Sequence, residues 1–206
     1  MLDFTLLALF IPTIFLISIS PGMCMTLAMT LGISVGYKKT LWMMWGELLG
    51  VALVAIAAVL GVAKIMFSYP EFFTFLKISG AGYLTYIAIN MWQAKGKLSI
   101  DTGGRTENIS KKRLLQQGFI TAISNPKGWA FMVSLLPPFI NSQQALAPQL
   151  IILVTIILLS EFVCMTLYAT GGKTLANYLT KNNKISLLNK ISGGLMFIVA
   201  IWLLLG

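Results

Sequence analysis

Two carboxylates and one ammonium stand out in a chain otherwise poor in charge. They are Glu47 in "WGELLG", Glu161 in "LLSEFV" and Lys127 in "SNPKGW", each inside a long apolar run. A charge in such surroundings costs at least about 2.5 kcal/mol on insertion scales, so a functional role is its first reading. A buried carboxyl can hold an ammonium group or exchange a proton. The alternative is structural pairing, with Lys127 as the partner of Glu47, since the two fall at similar depths. Two further stretches, "ISISPG" at 17–22 and "ISNPK" at 123–127, put a proline beside small polar residues inside apolar runs. Proline lacks a backbone N–H and clashes with the preceding turn, so each run must kink or break. A break presents helix ends, and a positive N-terminal end suits a carboxylate. Ser20 and Asn125 can cap those ends, and Gly22 lets a ligand approach the backbone. The candidate binding residues are therefore Ser20, Pro21, Gly22, Glu47, Asn125, Pro126, Lys127 and Glu161. Glu47 and Glu161 are also the candidates for proton coupling.

The rest of the composition narrows the class. Of 206 residues, 57% are hydrophobic and 10% charged, and mean hydropathy is +0.85. A soluble globular domain carries about 25% charged residues, so a single polytopic membrane domain is expected. The net charge of +9 does not point to nucleic acid, because the Lys and Arg residues sit between apolar runs. With no histidine, His-based metal sites and Ser-His-Asp chemistry are excluded. Cys24 and Cys164 have no paired spacing that would suggest a metal or disulfide framework. No nucleophile-plus-base constellation is visible, so neither an enzyme nor a cofactor is expected. The N-terminus begins "MLDF" and does not read as a cleavable signal peptide.

Six apolar runs are long enough to cross a bilayer: about 4–35, 41–65, 71–93, 118–140, 148–172 and 187–205. The first is too long for one straight helix and should break at Pro21-Gly22. Twelve of the 15 basic residues fall after the first, third and fifth runs. The positive-inside rule then puts those loops in the cytoplasm and both termini outside. Trp42, Trp45, Trp92 and Trp202 read as interfacial anchors or packing residues. Gly46 and Gly50 form a GxxxG spacing that lets helices approach closely.

A repeat is also visible. "KISGAGYL" at 77–84 recurs as "KISGGLMF" at 190–197. In each half the order is a helix-breaking proline, a glutamate, then "KISG". An insertion around 141–147 accounts for the unequal spacing from proline to glutamate. Three spans per half is an odd number, so the second half must be inverted. The expected fold is an all-α polytopic membrane protein with six transmembrane helices, arranged as two inverted three-helix repeats with broken first helices. Repeat one covers about 1–93 and repeat two about 118–206, joined by a basic cytoplasmic loop at about 94–117. Inverted repeats with interrupted helices are the build of many secondary transporters.

"SPGM" at 20–23, "WGELLG" at 45–50 and "NPKGW" at 125–129, with six spans in about 206 residues, carry a resemblance. The chain resembles the LysE/RhtB family of bacterial amino-acid exporters along essentially its whole length. "NPK" following "QGF" is the most specific element. The family usually has a second proline after "SPG", where this chain has Met23, and often Asp near position 47, where this chain has Glu. The resemblance implies efflux of amino acids such as threonine, homoserine, leucine or lysine, driven by proton antiport across the bacterial inner membrane. It implies amino-acid substrate, protons and the lipid bilayer as partners, with a homodimer as an open alternative to a monomer. On charge matching, the substrate carboxylate would meet helix ends around Gly22 and Asn125 with Lys127. Its ammonium would meet one glutamate while the other carries the proton. The competing readings are a metal-cation exporter, a membrane redox protein using Cys24, and a non-transporting membrane assembly factor.

The basic-loop asymmetry gives a topological prediction. A reporter fused after Gly206 should read out on the periplasmic side. A cytoplasmic signal would contradict both the orientation and the inversion of the second half.

Overall fold

The computed structural model describes residues 4–68, 70–93, 109–141 and 143–181, and a discontinuous set of helical residues between 186 and 204. All regular structure among these residues is helical. The first apolar run forms α1 (Phe4–Ile19) and α2 (Met23–Ser34), bent by 55° at Ser20-Pro21-Gly22. Next come α3 (Tyr37–Ser68) and α4 (Pro70–Gln93). The second break separates α5 (Lys111–Ile123) from α6 (Pro126–Leu135), and α7 (Leu146–Lys181) follows a short 3-10 turn at Pro137–Phe139. Trp202, the loop at 94–108 and part of the second "KISG" copy lie outside the described residues.

Local chemistry explains where the elements start and stop. Gly36 has φ +80°, the left-handed conformation that closes many helices, and it turns the chain from α2 into α3. Ser110 caps α5 by accepting a hydrogen bond from the Arg113 amide. A cap of this kind contributes about 1 kcal/mol. The cap starts α5 at Lys111, earlier than the expected loop boundary near 117. The helix tolerates its Lys111-Lys112-Arg113 opening because all three side chains are exposed. Lys111 Nζ lies 5.0 Å from the Trp42 ring centroid, a cation–π contact that ties this end to α3. Inside α7, Gly172 has φ +42° and kinks the helix.

Among the described residues, two helices are long and apolar enough to cross a membrane, at Tyr37–Gly61 and Leu146–Gly172. The bent α1–α2 pair adds a third if it counts as one span. Of the six expected runs, much of 187–205 lies outside the described residues. The α5–α6 run contains the polar opening of α5 and a ten-residue α6, so neither piece qualifies by length and composition. The burial pattern is that of a membrane protein turned outward. Trp45, Leu49, Leu53, Ile56 and Leu60 form an exposed stripe on α3, while Glu47 on the same helix is 1% exposed. A soluble monomer rarely exposes so continuous an apolar face.

The packing places each broken pair against the long helix of the other half. α5 and α6 lie on α3, and α1 and α2 lie on α7. Two buried clusters result. One gathers Phe10, Ile14, Ile17, Phe131, Leu136, Phe139, Leu153 and Ile157. The other is rich in methionine, with Met25, Met29, Met43, Met44 and Met165 beside Tyr168.

Glycine sets the α3–α5 distance. A Cβ on Gly118 would collide with the Met43 carbonyl oxygen and lie 2.8 Å from the Glu47 amide nitrogen; one on Gly46 would collide with the Leu115 carbonyl oxygen. A Cβ on Gly50 would sit 2.6 Å from that of Ala122. The packing role expected for Gly46 and Gly50 is thus present, with Gly118 answering from α5. Gly118→Ala should cost about 1–3 kcal/mol through overpacking. Gly61→Ala, which meets no described atom within 4 Å, should be neutral or stabilising by up to about 1 kcal/mol. Thermal unfolding in detergent checks both. Equal stability of the two variants would contradict the close approach.

Candidate functional site: two helix breaks facing a carboxylate pair

The first break frees carbonyl groups at the end of α1, because Pro21 has no N–H to return to them. The carbonyls of Ile17 and Ile19 are answered within the protein. The Ser20 amide and hydroxyl both donate to the Ile17 carbonyl, at 3.2 and 2.6 Å. Tyr168 on α7 donates its hydroxyl to the Ile19 carbonyl at 2.9 Å. Lys127 Nζ donates to the Ile17 carbonyl at 3.2 Å and also to the Ser20 hydroxyl. In a lipid interior an unanswered group of this kind costs several kcal/mol.

The second break is closed differently. Asn125 caps α6 by accepting the Lys127 amide on Oδ1 at 3.1 Å, with Pro126 in the first turn, where no N–H is needed. The Trp129 indole donates to the Ile123 carbonyl at 2.8 Å. Across the two breaks, Asn125 Nδ2 donates to the Cys24 sulfur at 3.6 Å. The breaks at 20–22 and 125–127 therefore touch each other.

Between them lies a cavity of about 50 Å³, lined by Ser20, Gly22, Glu47, Asn125, Lys127 and Glu161. Six of the eight residues singled out from sequence converge on it. Pro21 and Pro126 are not among its lining residues and act through the backbone they break. Glu161 accepts a hydrogen bond from Ser18 on Oε1 at 2.9 Å and interacts electrostatically with Lys127. Glu47 interacts electrostatically with Glu161. Both Glu47 side-chain oxygens are buried and have no close hydrogen-bond partner among the described residues, although the Cys24 thiol, a weak donor, faces the group. A buried polar group left in that state costs about 1–3 kcal/mol, and more when charged.

Two expectations are corrected here. Ser20 does not cap α2, whose first residue follows Gly22 in an extended conformation with no side-chain cap. Its hydroxyl is turned back to α1. Lys127 does not pair with Glu47. Its ammonium reaches the carbonyl end of α1 and satisfies groups that the proline break left open.

Four contributors were missed from sequence: Ser18, Cys24, Trp129 and Tyr168. Tyr168 could have been found, because it lies seven residues after Glu161 and so shares its helix face. Ser18 stands in the "SIS" run beside Ser20, one turn from the break. Cys24 carries no sequence signal for this contact; it and Cys164 are both free and buried.

Known proteins place this site in context. The sequence pattern of the family described as LysE type translocator matches residues 15–206. A homoserine/homoserine lactone efflux protein of Salmonella typhimurium is 30% identical over 184 residues, covering 89% of this chain and 88% of that protein. A leucine efflux protein of Enterobacter sp. (strain 638) is 27% identical over 186 residues, covering 89% and 87%. An uncharacterized membrane protein of Vibrio cholerae is 25% identical over 178 residues, covering 86% of each. No solved structure matches the chain. The match spans both helix breaks, both long apolar helices and both glutamates, and on that ground the chain belongs to the LysE-type translocators, a family of membrane transporters and not of enzymes.

Proposed function

We propose that this protein exports amino acids across the bacterial cytoplasmic membrane by proton antiport. The single observation that carries the reading is Glu47: a buried carboxyl facing a cavity between two helix breaks, with no hydrogen-bond partner among the described residues beyond the weak Cys24 donor. Such a group needs a cation, and a proton or a substrate ammonium would serve. Names of relatives that cite homoserine and leucine efflux support an amino acid as the cargo.

Charge matching gives the binding mode. Glu161 already has a donor in Ser18 and a counter-charge in Lys127, so this pair is close to neutral. The substrate ammonium meets Glu47. The substrate carboxylate meets the N-terminal ends of α2 and α6, which border the cavity at Gly22 and Asn125, with Lys127 beside them. Each helix N-terminus is equivalent to about half a positive charge, so two of them offset one carboxylate. A proton and an ammonium repel each other at one carboxyl and therefore occupy it in turn. That exclusion is the coupling step of antiport. Glu161 serves as the second acceptor and holds Lys127 in place.

We read the architecture as six spans in two inverted repeats, about 1–93 and 118–206, with the substrate held between them. Support comes from the exchange of partners in the packing, in which each broken pair lies on the long helix of the other half. Alternating access would then rock one half against the other around the fixed site.

Proteoliposome transport separates the roles. Glu47→Gln should weaken substrate binding and abolish the response to an imposed pH gradient. Glu161→Gln should slow transport yet leave a pH response, because it disturbs Lys127 and not the exchanging group. If both variants transported like wild type, with an unchanged pH response, the glutamates would be structural and the proposal wrong.

A further inference from the structure

We infer that the substrate's side chain is a hydrocarbon or thioether, seated in an apolar layer of the cavity formed by Ile14, Val51, Val54, Phe131 and Ile157. This rests on the proposed amino-acid binding mode and specifies which amino acids fit it. The cavity wall has two chemically distinct layers, and helix geometry sorts them. Residues three, four or seven apart share a helix face. Ile14 precedes Ser18 by four positions on α1. Val51 and Val54 follow Glu47 by four and seven on α3. Phe131 follows Lys127 by four on α6, and Ile157 precedes Glu161 by four on α7. All of these residues line the cavity.

In each helix the apolar residue lies on the same side of its polar neighbour. α6 runs from Lys127 through Phe131 towards Pro137–Phe139, and α7 runs from Leu146 through Ile157 to Glu161. The apolar layer therefore lies between the charged layer and the connection at 137–145. Ile14, Val54, Phe131 and Ile157 belong to the buried cluster that also holds Phe10 and Phe139, whose ring centroids lie 4.8 Å apart. Every polar side chain lining the cavity belongs to the charged layer or to the breaks beside it. The five side chains of the apolar layer carry no hydrogen-bonding group.

A zwitterion anchored by Glu47 and the helix ends must send its side chain into this layer. An aliphatic side chain would bury its surface there. A hydroxyl would lose its water partners without replacement, and a cationic side chain would bury an unpaired charge. One methylene in an apolar pocket changes discrimination by about 10–200-fold, and a hydrophobic site rejects an added hydroxyl by about 100-fold at most. The expected order is leucine and methionine first, homoserine weaker, lysine excluded.

The test is counterflow in proteoliposomes of the full chain, using labelled leucine, homoserine and lysine each in turn. Unlabelled leucine, methionine, homoserine and lysine serve as competitors. Leucine and methionine should compete at least about ten-fold better than homoserine, and lysine should not compete. Phe131→Ala should move the preference towards larger side chains such as phenylalanine, and Val54→Ser should narrow the gap between leucine and homoserine. Homoserine or lysine matching leucine in the wild-type protein would overturn the apolar layer as the selecting element while leaving amino-acid export intact. Counterflow of none of the three would overturn the export reading and this inference together. The wild-type ranking decides the matter even if a variant fails to fold.

Discussion

A backbone polar group freed inside an apolar environment must find a partner, and this structure is arranged around that requirement. Pro21 leaves the carbonyls at the end of α1 open. The groups that answer them come from three places: Ser20 at the break itself, Lys127 at the other break, and Tyr168 on α7. The first break is therefore stable only when α6 and α7 are in position. The same contacts bring Lys127 beside Gly22, where its Nζ would lie 3.8 Å from an added Cβ, and set it near Glu161. Satisfying the backbone and assembling a charged cluster are one structural event.

The helix packing then fixes where the carboxylates sit. Gly118 lets α5 rest directly on the turn of α3 that carries Glu47, and Gly46 does the reciprocal service against Leu115. Asn125 lies two turns further along α5 and its break, within reach of Cys24 on α2. A wider spacing between α3 and α5 would move Glu47 away from Asn125 and dissolve the cluster. The α3–α5 packing and the position of Glu47 thus depend on the same small residues. Exposed apolar side chains such as Leu49, Leu53, Leu159 and Leu167 dominate the outward faces of α3 and α7 along their middles, while Glu47 is buried.

Much of this was readable from the sequence, for reasons that differ residue by residue. "SPG" and "NPK" announce breaks because proline's missing N–H acts locally and needs no knowledge of the fold. Glu47 and Glu161 announce themselves because a carboxylate in an apolar run has few structural excuses. Family membership follows from those same motifs. The direction in which side chains reach was not readable. Depth along a helix can be counted, and by depth Lys127 suits Glu47; rotation about the helix axis sends its ammonium to Ile17 and Ser20 instead. Ser20 was misread for a similar reason, since a serine beside a break can serve the carbonyl end before it or the amide end after it. The starting point of α5 was misplaced because a basic opening reads as loop in a membrane protein, although Ser110 caps it as a helix.

The central claim is that a substrate ammonium and a proton occupy Glu47 in turn. The most direct measurement is calorimetric binding of leucine to the purified protein in two buffers of different ionisation enthalpy, which counts protons released per substrate bound. The account predicts release of about one proton at a pH where the substrate-free site is protonated, and no release from any residual binding by Glu47→Gln. Tight binding by the wild-type protein across a range of pH, with no proton released at any of them, would contradict it.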